Sequence, residues 1–380
     1  MLSWWHYLIL CAIALAVTAA LVPAVRSFAI KHGIVDEPGP RRVNKKPIPR
    51  LGGLAMFIGL LVALAVECIL ELTGIWSGPF TEDGTLNTRL FGVIIGFAFM
   101  VAVGALDDVY SLPPLVKFIG QIIAATIIVC TGTTLGSFKI PFTSSVVHLD
   151  AWTYPITVLY LVCFANVINL IDGLDGLSAG ITGIASATLF ILTMHLMRGD
   201  AASVAIILVG CCIGFLFYNF SPASIFMGDS GSLFLGLALG TISLLGASRF
   251  ASVTALAVPI VIAGVPVIDT FSAIVRRLRG HQPIQVADAG HIHHRLLRRG
   301  FSQRKSVLII YGWTALLCVA ACIIWNLGGF LKYLVLVIVL LVSAFVVWHL
   351  GLFGPVLQHR YPGNASHPNM EDDADERQDS

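Results

Sequence analysis

Apolar runs of roughly 20 residues, each long enough to cross a bilayer as a helix, recur from one end of this 380-residue chain to the other. Hydrophobic residues make up 57% of the chain and charged residues 12%, where a soluble domain carries roughly 25% charged residues; mean hydropathy is +0.88. The sequence therefore reads as an all-α polytopic integral membrane protein, with no room between the runs for a large soluble domain. Residues 1–352 form one multi-span domain. Residues 353–380 form a tail whose end, 370–380, carries six acids and one arginine and reads as disordered. The first run lacks a basic leader and a small-residue cleavage signature, so it reads as a retained helix. All eight cysteines lie inside apolar runs without Cys-x-x-Cys spacing and read as small core hydrophobes.

The spans fall at about 4–25, 51–71, 89–106, 115–133, 153–169, 178–196, 201–217, 231–247, 253–275, 307–326 and 331–352. That makes eleven helices, or ten if one short separation is read differently. Net charge is only +2, but its distribution is informative. Eighteen of the 23 lysines and arginines, including Arg26 to Arg50, Lys117 and the group from Arg276 to Lys305, fall on alternate connections and the tail. Cytoplasmic loops carry such an excess, which puts the amino terminus outside and the carboxyl terminus inside. The same orientation gathers Asp107, Asp108, Asp172, Asp175, Asp229 and the histidines at 291–294 on the cytoplasmic side. On the outer side, Ser145–Leu149 alternates in a way that suits a short hairpin.

Charged groups at a membrane edge need a partner. Asp107 and Asp108 end the third span, and neighbouring helical residues diverge by about 100°, so one can bind a cation while the other faces a reacting group. The alternative, a simple acidic helix end, is opposed by the helix dipole. In Asn169-Leu-Ile-Asp-Gly-Leu-Asp-Gly-Leu177, a helical conformation would set Asn169, Asp172 and Asp175 on one face, where they could bind a cation, hydrogen-bond a polar ligand or line a proton path. Asn219 to Gly231 reads as a loop ahead of a new helix. Its backbone amides could meet an anion, and Asp229 is either a Mg²⁺ ligand or a helix cap. Phe226 offers a flat face to a base. His291, His293 and His294, flanked by Arg295, suit zinc or phosphate, though no cysteine stands by as a fourth zinc ligand. Asp269 is read as an internal partner of Arg276 or Arg277. The proline-stiffened segment Arg41 to Gly53 is basic enough to bind anionic head groups.

Carboxylates that suit Mg²⁺, basic groups that suit phosphate and a membrane address together imply phosphoryl transfer to or from a lipid. Asp107-Asp108 with Lys117 and Gln121, Asn169-x-x-Asp-Gly-x-Asp-Gly, Phe226-Met-Gly-Asp-x-Gly-Ser, His291-x-His-His and Pro49-Arg-Leu-Gly-Gly53 together resemble the polyprenyl-phosphate N-acetylhexosamine-1-phosphate transferases of glycosyltransferase family 4, in order from about residue 36 to 306. The resemblance implies a multi-pass enzyme of the bacterial cytoplasmic membrane. Such an enzyme moves a sugar 1-phosphate from a UDP-sugar to undecaprenyl or decaprenyl phosphate, releases UMP, and uses Mg²⁺ with Mn²⁺ as a substitute. It implies no nucleic-acid partner and allows a homodimer.

Carried over by residue, Asp229 would be the principal metal ligand, and Asp107 and Asp108 would lie at the reacting phosphates. Lys117 would neutralise phosphate charge, while Asn169, Asp172 and Asp175 would shape the nucleotide site. Asn219 and Phe226 would help hold uridine. His291, His293, His294 and Arg295 would contact the diphosphate or sugar, and Lys45 with Arg50 would approach the lipid phosphate. The segment Gly290-His-Ile-His-His-Arg resembles the N-acetylglucosamine branch more than the branch acting on UDP-MurNAc-pentapeptide. A secondary transporter is the rival class. It requires acids at the bilayer midplane and an internal repeat, and the sequence offers neither.

Overall fold

A computed structural model describes residues 4–38, 46–82, 85–139, 146–246, 250–252, 259–279, 290–327 and 329–352. Lys45 and the tail 353–380 lie outside the described residues. The helices are α1 (Trp4–Lys31), α2 (Gly52–Leu72), α3 (Thr88–Tyr110), α4 (Pro114–Cys130), α5 (Thr153–Ile171), α6 (Leu177–His195), α7 (Gly199–Asn219), α8 (Gly228–Gly246), α9 (Gly264–Arg279), α10 (Ile292–Arg298), α11 (Gln303–Asn326) and α12 (Leu331–Leu350). Among the described residues, nine helices are long and apolar enough to cross a membrane. The expected span at 115–133 is the shorter apolar helix α4. Of the expected span at 253–275, residues 253–258 lie outside the described residues, and α9 ends in a basic last turn.

Local signals account for several helix ends. Pro114 opens α4 at a position where a missing amide costs nothing. The Asn87 side chain caps α3 by accepting from the Leu90 amide, and Ser302 caps α11 through the Lys305 amide. The start of α8 is capped differently, by a carboxylate from α3. Helix α8 is the axis of the bundle, buried from Ser230 to Gly246, and it packs against α2, α3, α5, α6 and α7. Outer helices keep apolar side chains exposed, such as Leu334, Leu341 and Phe345 on α12, as lipid-facing positions require.

Short β-pairs decorate the two ends. At one end β1 (Val35–Asp36) pairs antiparallel with β2 (Ile48–Pro49), Asp36 opposite Ile48. At the other, β3 (Thr81–Glu82) pairs with β4 (Thr85–Leu86), and the Glu71 carboxylate accepts from the Phe80 and Thr81 amides beside them. There too β5 (Ser137–Lys139) pairs antiparallel with β6 (Val146–Val147), in line with the expected hairpin, and parallel with β7 (Phe250–Ser252).

Alternating helix directions bring the α5–α6 and α7–α8 junctions, the start of α2, the end of α3 and α10 to the same end of the bundle. The described lysines and arginines of that end include Arg50, Lys117, Arg276, Arg295 and Arg304. The expected helical face shared by Asn169, Asp172 and Asp175 does not form. Helix α5 stops at Ile171, Asp172 leaves helical geometry at φ −74° and ψ 53°, and Gly176 takes φ +79° before α6 begins. Two glycines in five residues favour this break, because Gly enters the left-handed region without penalty.

Helix α3 meets the start of α8 without room for a side chain at Gly104: a Cβ there would overlap the backbone of Asp229 and Ser230. Gly104→Ala should therefore force the two helices apart at a cost of about 1–3 kcal/mol. Thermal unfolding of the detergent-purified protein checks this, and an unchanged midpoint would contradict the packing.

Candidate active site

The junctions enclose a cavity of about 340 Å³ whose lining includes Asp36, Arg50, Asp108, Asn169, Asp172, Gly173, Leu174, Asp175, Asn219, Phe226, Met227, Gly228, Asp229, His293 and His294. That volume suits a small organic ligand. Ten of these fifteen residues belong to the α5–α6 and α7–α8 junctions or the helix ends that flank them. Neighbouring segments brace them. Phe226 donates its amide to the Pro49 carbonyl and accepts from the Gly52 amide, while the Met227 carbonyl accepts from Gly53. Asn219 accepts from the Gly176 amide at 3.0 Å and donates to the Ile225 carbonyl at 2.9 Å, joining the two junctions through one side chain. Asp175 accepts from the Ala223 amide at 3.0 Å.

The two neighbouring carboxylates of α3 do point apart. Asp108 is buried and accepts from the Asp229 amide at 2.8 Å, the Ser230 amide at 3.1 Å and the Ser230 hydroxyl at 2.8 Å. It thereby supplies the acceptor that the first turn of α8 lacks. The expectation that these amides stand open to an anion is corrected: two of them are taken by Asp108. Asp107 turns the other way, accepting from the Leu112 amide at 2.7 Å and from Lys117 at 3.1 Å. Lys117 also pairs with Asp229, so it joins α4 to both α3 and α8, and neither Asp107 nor Lys117 lines the cavity. Asn169 donates to Asp229 and accepts nothing from it, holding the second carboxylate oxygen at 2.8 Å.

Asp172 faces the cavity and makes no side-chain hydrogen bond among the described residues. Withdrawal from water, and then the nearby Asp108 and Asp175 charges, push its carboxyl up to about 7. Asp36, unremarked in the sequence, pairs with Arg50 across β1 and β2 and is itself buried. An acidic pair, Asp36-Glu37, ahead of a basic loop gives no signal that one of its members reaches a site. Arg50, expected near a lipid phosphate, lines the cavity as one partner of its pair with Asp36.

The histidine segment divides. His293 and His294 line the cavity, whereas His291 and Arg295 do not. His293 is buried, its Nδ1 has no hydrogen-bond partner among the described residues, and its ring tip lies where a Cβ at Gly173 would stand. Burial, followed by the neighbouring His294 and His291, holds its pKa well below the usual imidazole value, so its ring is neutral. Arg295 donates to the carbonyls of Gly290 at 3.0 Å and Leu352 at 3.4 Å, tying α10 to the end of α12. Asp269 pairs with His291 and the Ile292 amide; the expected partners Arg276 and Arg277 are replaced by a group 22 residues away in sequence. Arg276 instead donates to Ser272 at 3.0 Å and to the Leu352 carbonyl.

Among the described residues no three His, Cys, Asp or Glu side chains form a metal-ligating group. The cavity therefore does not suit an all-protein cage such as a structural zinc site. It does suit Mg²⁺, which binds through one or two carboxylates with substrate phosphates and water completing the shell. Asp229 and the partnerless Asp172 carry that donor chemistry.

An acid whose folded pKa is raised destabilises the protein as it ionises. In the absence of metal, the contribution of Asp172 to stability is lost as pH rises from the ordinary aspartate range, about 4, through about 7. Asp172→Asn should therefore unfold at a higher temperature than the parent at pH 8, and the gap should narrow as pH is lowered towards 5. A gap independent of pH would contradict the strained carboxyl.

Comparison with known proteins gives this geometry a context. Residues 90–247 match the model of Glycosyl transferase family 4. The chain is 42% identical over 299 residues to a Bacillus subtilis (strain 168) protein named probable undecaprenyl-phosphate N-acetylglucosaminyl 1-phosphate transferase, covering 79% of each chain. It is 36% identical over 319 residues, 78% of this chain and 77% of the other, to decaprenyl-phosphate N-acetylglucosaminephosphotransferase of Mycolicibacterium smegmatis. It is 33% identical over 333 residues, 81% of this chain and 95% of the other, to phospho-N-acetylmuramoyl-pentapeptide-transferase of Moorella thermoacetica. With the motifs, the multi-span bundle and this degree of identity in agreement, the chain belongs to glycosyl transferase family 4.

Proposed function

We propose that the protein transfers N-acetylglucosamine 1-phosphate from UDP-GlcNAc to undecaprenyl or decaprenyl phosphate and releases UMP. The reaction takes place on the cytoplasmic face of a bacterial inner membrane, as the first membrane step of a cell-envelope polysaccharide. One observation carries the reading: Asp229, Asp172 and Asp108 share a single cavity with Arg50, His293 and His294 at the bundle end rich in basic residues. Acids at an interface facing cations and imidazoles suit a metal-bridged diphosphate, and they do not suit a carrier with its ion site at the midplane. The two relatives whose names specify N-acetylglucosamine, each more similar to this chain than the muramoyl-pentapeptide enzyme cited, support the choice of sugar.

In the proposed reaction an oxygen of the lipid phosphate attacks the sugar-bearing phosphorus in line. A new P–O bond forms, the bond to the bridging oxygen breaks, and UMP leaves with the electron pair. The second pKa of a phosphate monoester lies near about 6, so at neutral pH the nucleophile is already mostly ionised and needs little help from a base. Asp229 with Asp172 would hold Mg²⁺, which would supply charge neutralisation for the phosphates. Lys117 and Asn169 hold the Asp229 carboxylate in place. Asp107 and Asp108 spend their oxygens on Lys117, the Leu112 amide and the start of α8, which favours a single displacement over a covalent phosphosugar on either acid. Neutral His293 can donate one hydrogen bond to the diphosphate or sugar, and Asn219 and Phe226 face the nucleoside.

The test is UMP release by purified protein with Mg²⁺, undecaprenyl phosphate and a panel of UDP-sugars. Turnover with UDP-GlcNAc, abolished by chelation and by Asp229→Asn in a protein that still folds, is expected. Preference for UDP-MurNAc-pentapeptide would replace the sugar. Normal activity of Asp229→Asn would remove the metal role, and a phosphosugar trapped on Asp107 or Asp108 would replace the single displacement.

A further inference from the structure

Asp269 is almost wholly buried, at 1% exposure, and lies behind the cavity rather than in it. Both of its carboxylate oxygens are engaged at 2.8 Å, one with Nδ1 of His291 and the other with the backbone amide of Ile292. Ile292 is the first residue of α10, and His291 makes no side-chain cap bond of its own. Asp269 therefore acts as the cap of a helix to which it does not belong. With only seven residues, α10 is too short to persist unaided, so its direction depends on such anchors. The His291 ring is stacked parallel to that of His293, with 5.8 Å between centroids and 4° between planes. His293 in turn presses its tip against the backbone at Gly173. An unbroken chain of contacts thus runs from α9 through two imidazoles to the cavity wall.

We propose that Asp269 and His291 are positioning residues: together they fix the start of α10 and the plane of His291 so that the His293 ring is held in its working orientation in the cavity. This inference rests on the transferase reading above. It gives His291 a role apart from substrate contact, and it gives Asp269 a role through His293 rather than at the reacting atoms. Charge-assisted hydrogen bonds in a buried setting are short and directional. A ring displaced by about 1 Å at a reacting centre can lower the rate about 10²-fold.

The test is a double-mutant cycle on the full-length protein in lipid nanodiscs, following UMP release at saturating undecaprenyl phosphate while UDP-GlcNAc is varied. Asp269→Asn should lower kcat by about 10²-fold and change the KM for UDP-GlcNAc by less than about threefold. His291→Asn, whose amide nitrogen stands close to the former Nδ1, should retain more activity than His291→Ala. In a His293→Ala background, Asp269→Asn should have almost no additional effect, because the ring it positions is gone. Effects of Asp269→Asn and His293→Ala that multiply, or a loss carried by KM, would overturn the inference, as would a fully active His293→Ala. Thermal midpoints are measured alongside. If Asp269→Asn fails to fold, the cycle is run with His291→Ala and His293→Ala, with the same two outcomes. A parent protein that releases no UMP from UDP-GlcNAc refutes the transferase reading and this inference with it, whereas an active parent with a multiplicative cycle refutes the positioning role alone.

Discussion

The carboxylate of Asp108 is the joint on which the site depends. Three hydrogen bonds from the first turn of α8 converge on it, and they come from the residue that carries the principal candidate metal ligand and from the residue after it. Helix α8 is the buried axis of the bundle, so wherever its first turn is pinned, Asp229 is pinned as well. Removing the acceptor would strand the buried Ser230 amide, at about 1–3 kcal/mol, and free the half-buried Asp229 amide as well. The close approach of α3 at Gly104 makes this joint sterically accessible, and the Lys117 bridge between Asp107 and Asp229 closes the triangle of α3, α4 and α8 from the other side. Local geometry at the candidate reaction centre is thus set by helix packing rather than by loop conformation.

A second principle runs through the cavity: most of its acids and bases are paired, and a few polar groups are left unsatisfied. Asp36 with Arg50, Lys117 with Asp107, and Asp269 with His291 are matched pairs. Asp172, by contrast, lines the cavity with no side-chain hydrogen bond among the described residues, and His293, which also lines it, keeps a buried Nδ1 without a hydrogen-bond partner among them. Buried polar groups ordinarily find partners, and a site that leaves two of opposite character open is suited to a ligand that brings both a cation and phosphate oxygens.

Much of this was legible from the residues. Apolar run length identified the bundle, and the basic asymmetry gathered the acids at one end, where the cavity lies. The motif spacing named most of the lining: Asp108, Asn169, Asp172, Asp175, Asn219, Phe226, Asp229, His293 and His294 all border it. What escaped was pairing across the fold. Asp269 was matched with arginines on its own helix because proximity along the chain is visible, whereas a histidine on another helix is not. Asp36 sits in a two-residue strand whose register is set by its partner, and Lys117 carries a charge that suits phosphate as well as it suits two carboxylates. The break at Asp172 was signalled by Gly173 and Gly176, but a carboxylate every three residues imitates a helical face closely enough to hide it.

The central claim is that this cavity holds a nucleotide sugar through a divalent ion at Asp229. Its most direct test is crystallographic: the protein crystallised with UDP-GlcNAc and Mn²⁺ in place of Mg²⁺, with the anomalous signal of the metal located. The account predicts one Mn²⁺ peak within coordinating distance of an Asp229 oxygen, about 2.0–2.2 Å, bridging to the diphosphate, with the uracil near Asn219 and Phe226. A metal peak remote from Asp229, or a nucleotide bound outside this cavity, would contradict it.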